Sequence, residues 1–590
     1  MIEEGKIPVI VGVTGHRNIA AEDRDELKKQ ITAALGEIKR ACTPDKGEDT
    51  PVVMLNAFAQ GADMLCAEAA FDMGIDVYAV LPCRQDEYID SFTEVSDREK
   101  LYAYLERAKR VIIAPDFEGN SEWLGKEFHM SGRDYEYRQT GIYIAEYSHL
   151  LIALWDGKSP KEKFGCGTAE VIKFALEHEF LDDDRVFSPG TMNDSAVLWI
   201  NARRTGGDKQ DITRRWLVSN FANECGAKPY GDYCVCDAMP QYLSDIIAST
   251  VKYNSQTVQN ARGRLWEREE ELDEYRRNLS RHYAKADSLS FDGNQKYYNL
   301  FILLIAIVGT FVAFSFMLYD DASLTFMILP CILAVGGLIW IIRRGSSRGY
   351  HEKYIEYRAV AEAFRIQFYM SLCLMERQIL SNVCRLYSWT QKVNSVWIYK
   401  ALQAVAVISD VEPPEIDASR IMSVWIGNSK TPQGQLKYHE EKLVRNREKA
   451  AKYTRISKAL TIVTVGVYAV IFIMEAIGHI LGAFGVSWFW DDIFFGGVSW
   501  RSVGVILMGT ATAASLLFSS YFGKLSFDRK ADDNRKMSMF YASAWARWQE
   551  AKMRPSVETN KFIKEIAREE IVENGIWCSY VKDNSLEINI

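Results

Sequence analysis

Four apolar stretches, Leu300–Tyr319, Leu324–Ile342, Ala459–Ile480 and Ser502–Tyr521, constrain this chain more than any other feature. Each runs for about 20 residues, enough at roughly 1.5 Å per residue for a helix to cross a hydrocarbon core of about 30 Å. Only the third carries ionisable groups, Glu475 and His479, near its far end. A soluble core has little use for four such segments. The second half of the chain is therefore expected to be an all-α membrane region with four transmembrane helices in two hairpins.

Basic residues orient these spans. The link Asp320–Ser323 and the link 481–500 hold neither lysine nor arginine. Arg343, Arg344, Arg348, Arg445, Arg447, Lys449, Lys452, Arg455, Lys524, Arg529 and Lys530 all fall on the opposite side. Positive residues stay on the cytosolic side, so both termini and the 343–458 region are expected to be cytoplasmic. The formal charge of −8 is spread without a basic domain, which argues against a nucleic-acid partner. Eleven cysteines are scattered; Cys234 and Cys236 are the closest pair, and no second pair lies at zinc-finger spacing, so no metal is expected and a reducing cytosol is. The opening residues, acidic and then strand-like, lack the pattern of a signal peptide.

Residues 7–200 read as soluble. Apolar runs at Val9–Thr14, Val52–Ala57, Val77–Leu81, Arg110–Ala114 and Leu150–Trp155 alternate with helical stretches at 21–40, 64–71 and 171–179. That pattern predicts an α/β Rossmann-like domain with a mostly parallel sheet covered on both faces. Val197–Ala202 is expected to close the sheet. In such folds ligands bind beyond the carboxyl ends of the strands. Four turns fall there: Thr14-Gly15-His16-Arg17, Gly61-Ala62-Asp63, Asp156-Gly157, and Gly165-Cys-Gly167-Thr168-Ala-Glu170. Glycines permit tight turns, an arginine can grip a phosphate, and free amides at a helix start favour an anion. Each turn alone is as well explained by structure, and Asp63 either meets a ligand or caps its helix. Neither a Walker A sequence nor a Gly-x-Gly-x-x-Gly fingerprint is present. A polar aromatic stretch from Trp123 to Tyr143, with Arg133, Tyr137 and Arg138, either covers the pocket or forms an ordinary surface helix.

These turns resemble the SLOG superfamily, which includes cytokinin-activating LOG enzymes, DprA-like proteins and the ligand-sensing N-terminal region of melastatin-type TRP channels. The resemblance rests on the strand ending in Thr14-Gly-His-Arg17, on Gly61-Ala-Asp63 with Glu68-Ala-Ala70 behind it, and on Gly165-x-Gly-Thr-x-Glu170. It implies a Rossmann-like fold that binds a nucleotide or a nucleotide derivative. The LOG enzymes use the glutamate of Pro-Gly-Gly-x-Gly-Thr-x-x-Glu in N-glycosidic cleavage. Here the corresponding run is one residue shorter between threonine and Glu170, so a binding role, which needs only the cradle, is expected ahead of hydrolysis.

The second half repeats a plan: a charged helix, a two-span hairpin, then another helix. One copy ends in Tyr350–Leu374; the other begins near Leu436 and closes in Met539–Trp548. Parallel repeats build twofold pseudo-symmetry about the membrane normal. The hairpins, with Tyr357-Arg358-x-x-Ala361-Glu362 and Gln435-Leu-Lys-Tyr438, resemble SLATT domains, two-span modules found beside SLOG sensors in prokaryotic conflict systems. That resemblance implies a pore-forming or membrane-disrupting effector in the bacterial inner membrane, acting in antiphage defence. In the spans, Glu475, His479, Thr510, Thr512 and Ser515 either line a pore or serve packing.

The resulting expectation has five parts: residues 1–204 as the ligand-binding domain, 205–296 as an accessory helical segment and connector helix, 297–375 and 436–590 as the two-span units, and 376–435 as a cytosolic helical link. No cofactor is required. The expected partners are a nucleotide or ADP-ribose-like second messenger, the lipid bilayer and further copies of the chain. Alternatives are a membrane-anchored nucleotide N-glycosidase using Glu170 and a small-solute transporter.

Overall fold

The computed structural model describes residues 5–45, 49–114, 122, 125–126, 130–158, 167–177, 195–220, 226–258, 261, 263–291, 296–317, 332–337, 339–341, 343, 350–373, 396–409, 416–427, 434–495, 498–551 and 557–583. Its N-terminal part is built on a nine-stranded sheet in the order β4-β3-β2-β1-β5-β6-β7-β9-β8. Strands β1 (Val9–Gly15), β2 (Val52–Asn56), β3 (Asp76–Leu81), β4 (Arg110–Ile113), β5 (Leu150–Trp155) and β6 (Ala196–Asn201) are parallel. All lie within a residue or two of the expected runs, because buried parallel strands are continuous apolar sequence. The chain leaves β1 toward β2, β3 and β4, then returns to β5 on its other side. This reversal opens a crevice at the carboxyl ends of β1 and β5.

Helices α1 (Arg24–Ala41), α2 (Ala62–Asp72), α3 (Gln85–Asp90), α4 (Val95–Arg107), α5 (Gly132–Tyr147) and α6 (Thr168–Glu177) complete this part. Leu27, Ile31, Ala34, Leu35 and Ile38 make the buried stripe of α1. Side chains such as Val9, Val11 and Val13 pack with α1 and α2 on one face. Ile10, Val53 and Leu151 on the other face belong to a core that runs on into the helical module.

Two expectations over 205–296 are corrected. Residues 205–260 are not simply helical: β7 (Arg214–Ser219), β8 (Lys228–Tyr230) and β9 (Tyr233–Cys236) extend the sheet antiparallel beyond β6, so Val197–Ala202 does not close it. The last four residues of β7 are buried, while β8 is mostly exposed and β9 mostly half-buried, and each strand is too short to show a clear period. Only α7 (Gln241–Asn254) matches the helical expectation. The expected single helix over 261–296 is also shorter, α8 (Glu274–Ser288), begun by Asp273 accepting from the Arg276 amide. It is no solvated connector, since Tyr275, Arg276, Leu279 and His282 are buried.

The helical module continues through α9 (Lys296–Met317), α10 (Tyr350–Cys373), α11 (Val396–Ile408), α12 (Ala418–Trp425), α13 (Gln435–Ala483), α14 (Trp500–Leu525), α15 (Phe527–Ala551) and α16 (Val557–Asp583). A small hairpin, β10 (Ile493–Phe495) and β11 (Val498–Ser499), joins α13 to α14. Helix α8 packs on α10 across the first expected hairpin, and the first half of α13 packs on α15 across the second. Between α14 and α15, Ser526 adopts a left-handed conformation (φ 49°) and turns the chain without breaking its path.

Among the described residues, two helices are long and apolar enough to cross a membrane: α13 and the one starting at Trp500. Their apolar side chains face outward, with Phe472 76%, Ile462 70% and Leu516 64% exposed. A soluble core helix would hide them. The first expected span lies in α9, whose apolar part Ile302–Ser315 is shorter; the second falls largely outside the described residues, leaving the apolar piece Ile332–Ile341.

Deep in the module, ionic groups replace apolar ones. Arg365 meets Glu362 at 2.7 Å and Glu570 at 3.4 Å, and Arg358 meets Glu362 and, at 2.9 Å, Asp287. Trp425 and Tyr541 donate to Glu570. This network joins α8, α10, α12, α15 and α16.

Candidate functional site

The four turns converge as expected at the carboxyl ends of β1, β2 and β5, with Gly165 outside the described residues. Two of the glycines serve the fold. A Cβ on Gly15 would lie 2.3 Å from the Ala62 Cβ, and one on Gly61 (φ 83°) would lie 2.2 Å from the Arg17 carbonyl oxygen. The turn after β1 therefore rests directly on the start of α2, sealed by the Ala62 amide donating to the His16 carbonyl at 3.1 Å. Asn56 holds the intervening loop: its Oδ1 accepts from the Phe58 amide at 2.7 Å, and its Nδ2 donates to the Asp63 carbonyl at 2.8 Å. Phe58 is buried at φ 53°, a strained conformation for a residue with a Cβ.

Three ionisable residues sit in the crevice with different duties. Nε2 of buried His16 lies 3.0 Å from both the amide and the Oδ1 of Asp156, and its Nδ1 lies 3.5 Å from the Thr168 hydroxyl. Burial lowers the His16 pKa, against the opposing pull of Asp156. Burial works against the Asp156 carboxylate too, but His16, the Lys158 amide and Arg204 hold it below its usual value. Arg204, 3.2 Å from Asp156, was not among the expected site residues, although it follows β6 at the same strand edge. Burial pushes the Asp63 carboxyl up to about 7, despite the Ala59 amide and Arg17. Asp63 thus donates as well as accepts near neutral pH.

Glu170 has a structural duty. Its Oε2 accepts from the Gly167 amide at 3.0 Å, one residue before α6 begins, which is the return half of a capping box. Burial raises its pKa. Gly157 (φ 76°) lies under the Tyr230 hydroxyl, 2.9 Å from where a Cβ would stand.

Arg17 remains free to meet a ligand. It is exposed and contacts the Tyr137 ring at 5.0 Å, with no hydrogen-bond acceptor among the described residues. Arg133 lies 5.5 Å from the same ring and bonds the Cys83 sulfur at 3.2 Å. Two guanidinium groups and one tyrosine thus form the mouth of the crevice, two of the three supplied by the first turns of α5. The stretch from Trp123 to Tyr143 does reach the pocket in this part. Arg138 instead points inward over Phe174 at 4.8 Å.

The membrane candidates separate from this site and do not form one of their own. Glu475 accepts from the Trp490 indole at 2.9 Å and pairs with Arg501 at 2.8 Å and, more loosely, with His479 at 3.7 Å. This clasp ties the far ends of α13 and α14 to the small hairpin. Thr512 bonds the Tyr468 hydroxyl at 3.1 Å, Thr464 donates to the Ala511 carbonyl at 3.2 Å, and Ser457 meets Ser519 at 2.8 Å. These contacts form a polar ladder zipping α13 to α14. The Thr510 hydroxyl is buried without a partner among the described residues, and Ser515 is half-buried.

No known family model matches this chain, and no curated protein matches it. Its class rests on the geometry alone: an α/β domain with an open strand-end crevice, packed on a helical module with two long apolar helices.

Proposed function

We propose that this chain is a ligand-gated membrane effector of the inner membrane. Its cytosolic α/β domain binds a nucleotide-type signal at Arg17, Arg133 and Tyr137. Four spans in two hairpins respond by opening or perturbing the bilayer in an oligomer, with both termini cytoplasmic. The resemblance to SLOG and SLATT proteins makes phage defence its setting.

One observation carries this reading. Helix α5 presents Arg133 and Tyr137 at the crevice, and its other end grips the helical module. There Lys400 of α11, 1% exposed, donates to the Ser148 carbonyl at 2.8 Å, the Ser195 hydroxyl at 3.2 Å and the Glu146 carbonyl at 3.5 Å. Arg110 of β4 reaches the Val407 carbonyl at 3.0 Å. Helix α11 packs in turn on α8 and α10, the helices that bracket the first hairpin. A ligand that draws Arg133 and Tyr137 toward Arg17 acts on one end of a rigid rod whose other end holds the module. A differential affinity of a few kcal/mol between two states suffices to shift their populations.

Ion flux through the full chain in liposomes, with nucleotides, cyclic nucleotides and ADP-ribose derivatives supplied on the cytosolic face, tests the proposal. Flux evoked by one ligand and lost in Arg17→Ala is expected. Lys400→Met should retain binding and lose flux. Consumption of the ligand without flux would transfer the function to Glu170, which would first have to leave its cap.

A further inference from the structure

We propose that Lys442, Lys449 and Lys530, beside the bend between α14 and α15, form a binding site for a phosphate group. Lys442 and Lys449 lie seven residues apart, two turns along one side of α13, and Lys530 enters from the first turn of α15. The Lys449 and Lys530 ammonium groups both stand 5.3 Å from the centre of the Phe527 ring, and Lys442 stands 5.2 Å from Tyr438. None of the three has a carboxylate within ion-pair distance among the described residues. Among the described residues, no acidic side chain of α13 or α15 forms an ion pair with these lysines. Asp533 pairs with Arg529, Asp532 with Arg535, and Glu440, Glu441 and Glu448 line a separate groove with Val444 and Arg445.

Lys442 and Lys530 are half-buried and Lys449 is exposed; cations gathered without counter-charge repel one another, and that cost falls when an anion joins them. Burial, then Lys449 and Lys442, lower the Lys530 pKa to about 8, the direction such crowding demands. The surroundings suit a bound group. Tyr453 stacks on Phe522 at 4.8 Å and on Phe527 at 5.4 Å, giving the lysines an aromatic floor. The site also adjoins the bend. Ser526 bonds the Tyr580 hydroxyl at 2.8 Å, and Arg529 lies 3.4 Å over the same ring. A phosphate held between α13 and α15 braces this joint of span, cytosolic helix and α16.

Lys530 lies nine residues beyond Tyr521, past the left-handed Ser526, in the first turn of α15. A lipid headgroup reaching down and a soluble phosphate reaching up are both within range, and the chemistry is the same. The experiment separates them. Inorganic phosphate and pyrophosphate are titrated into the full chain in neutral detergent, against chloride at equal ionic strength, while the thermal midpoint is followed. The same titration is run in phosphatidylcholine nanodiscs with and without phosphatidylglycerol.

A saturable rise is expected, retained in Arg17→Ala, which removes the strand-end arginine, and in the doubly substituted Lys449→Arg, Lys530→Arg chain. Apparent affinity should fall about fivefold for each lysine changed to glutamine, the equivalent of roughly 1 kcal/mol per lysine. If phosphatidylglycerol raises the midpoint and makes added phosphate ineffective, the occupant is a lipid headgroup; if phosphate acts equally in both discs, it is soluble. No rise from either source, or a rise that survives Lys449→Gln with Lys530→Gln, overturns the site. In phosphate-free buffer Lys530→Gln should melt no lower than the parent, because it relieves repulsion; a lower midpoint would also overturn it.

Discussion

In the sheet itself, His16, Asp63 and Asp156 sit at the strand ends, while the strand faces are filled by residues such as Val11, Leu55 and Ile152. In the helical module, Glu362, Arg365 and Glu570 lie in the middle of the core, and Gln367, Gln403 and Asn574 are buried with them. The sheet satisfies its backbone through strand pairing, so its core needs only shape. Helices satisfy their own backbones and can slide or rotate on one another; ionic and amide contacts between them fix one arrangement at the cost of desolvation. The helical module therefore carries contacts that choose between arrangements, whereas the sheet relies on shape alone.

The sharpest way to break this comparison is Arg365→Ala. It strands buried Glu570, whose pKa burial already raises, and leaves Glu362 with Arg358 alone, and should destabilise the module by about 3 kcal/mol. Chemical denaturation followed by tryptophan fluorescence checks it. Combining Arg365→Met with Glu362→Gln and Glu570→Gln should recover much of that loss while blurring the helix arrangement. Failure to recover would mean the charges do more than specify packing.

Within the sheet domain, Gly61→Ala should cost about 3 kcal/mol, since it adds a Cβ 2.2 Å from a backbone oxygen at a positive φ. Retained stability would mean that the loop after β2 yields easily.

Asp63 supplies a pH test. Its folded-state pKa is raised to about 7, so the folded chain holds a proton that the unfolded chain has released between its ordinary value and 7. Stability from this group is therefore present at low pH and lost as pH rises through that window, and Asp63→Asn mimics the protonated form. The variant should be more stable than the parent at pH 8, by on the order of 2 kcal/mol, with the difference shrinking toward pH 5. An equal effect at both pH values would sink the assignment.

The smallest effect belongs to the clasp at the far ends of the spans. Glu475→Gln loses an exposed pair with Arg501 while keeping an acceptor for Trp490, and should shift stability by about 0.5 kcal/mol. A loss of flux without a loss of stability would return Glu475 to the conduction path.

Much was legible in the order of residues. Strands β1 to β6 stand where continuous apolar runs place them; β1, β2, β3, β5 and β6 are buried on both faces and need nearly every residue apolar, while edge strand β4 buries only Ile112. The turns at Thr14–Arg17, Gly61–Asp63, Asp156–Gly157 and Gly167–Glu170 meet because strand ends meet in any parallel sheet. Strands β7 to β9 escaped notice for the opposite reason: each is short, and in β8 and β9 buried apolar residues are few. Arg204 escaped because its role arises from adjacency to Asp156, 48 positions away in the chain.

By itself, then, the sequence determined the layered sheet, the crevice at its strand ends and the long apolar helices, all of which follow from local hydrophobic period and glycine placement. Tertiary structure alone decided which groups in the crevice are already engaged and which face outward: His16 and Glu170 serve the fold, and Arg17 does not. It also decided that Lys400 ties the module to the sheet and that Glu475 is a clasp. A charged side chain's role depends on the partner it reaches and the water it loses, and both are set by packing between segments distant in the chain.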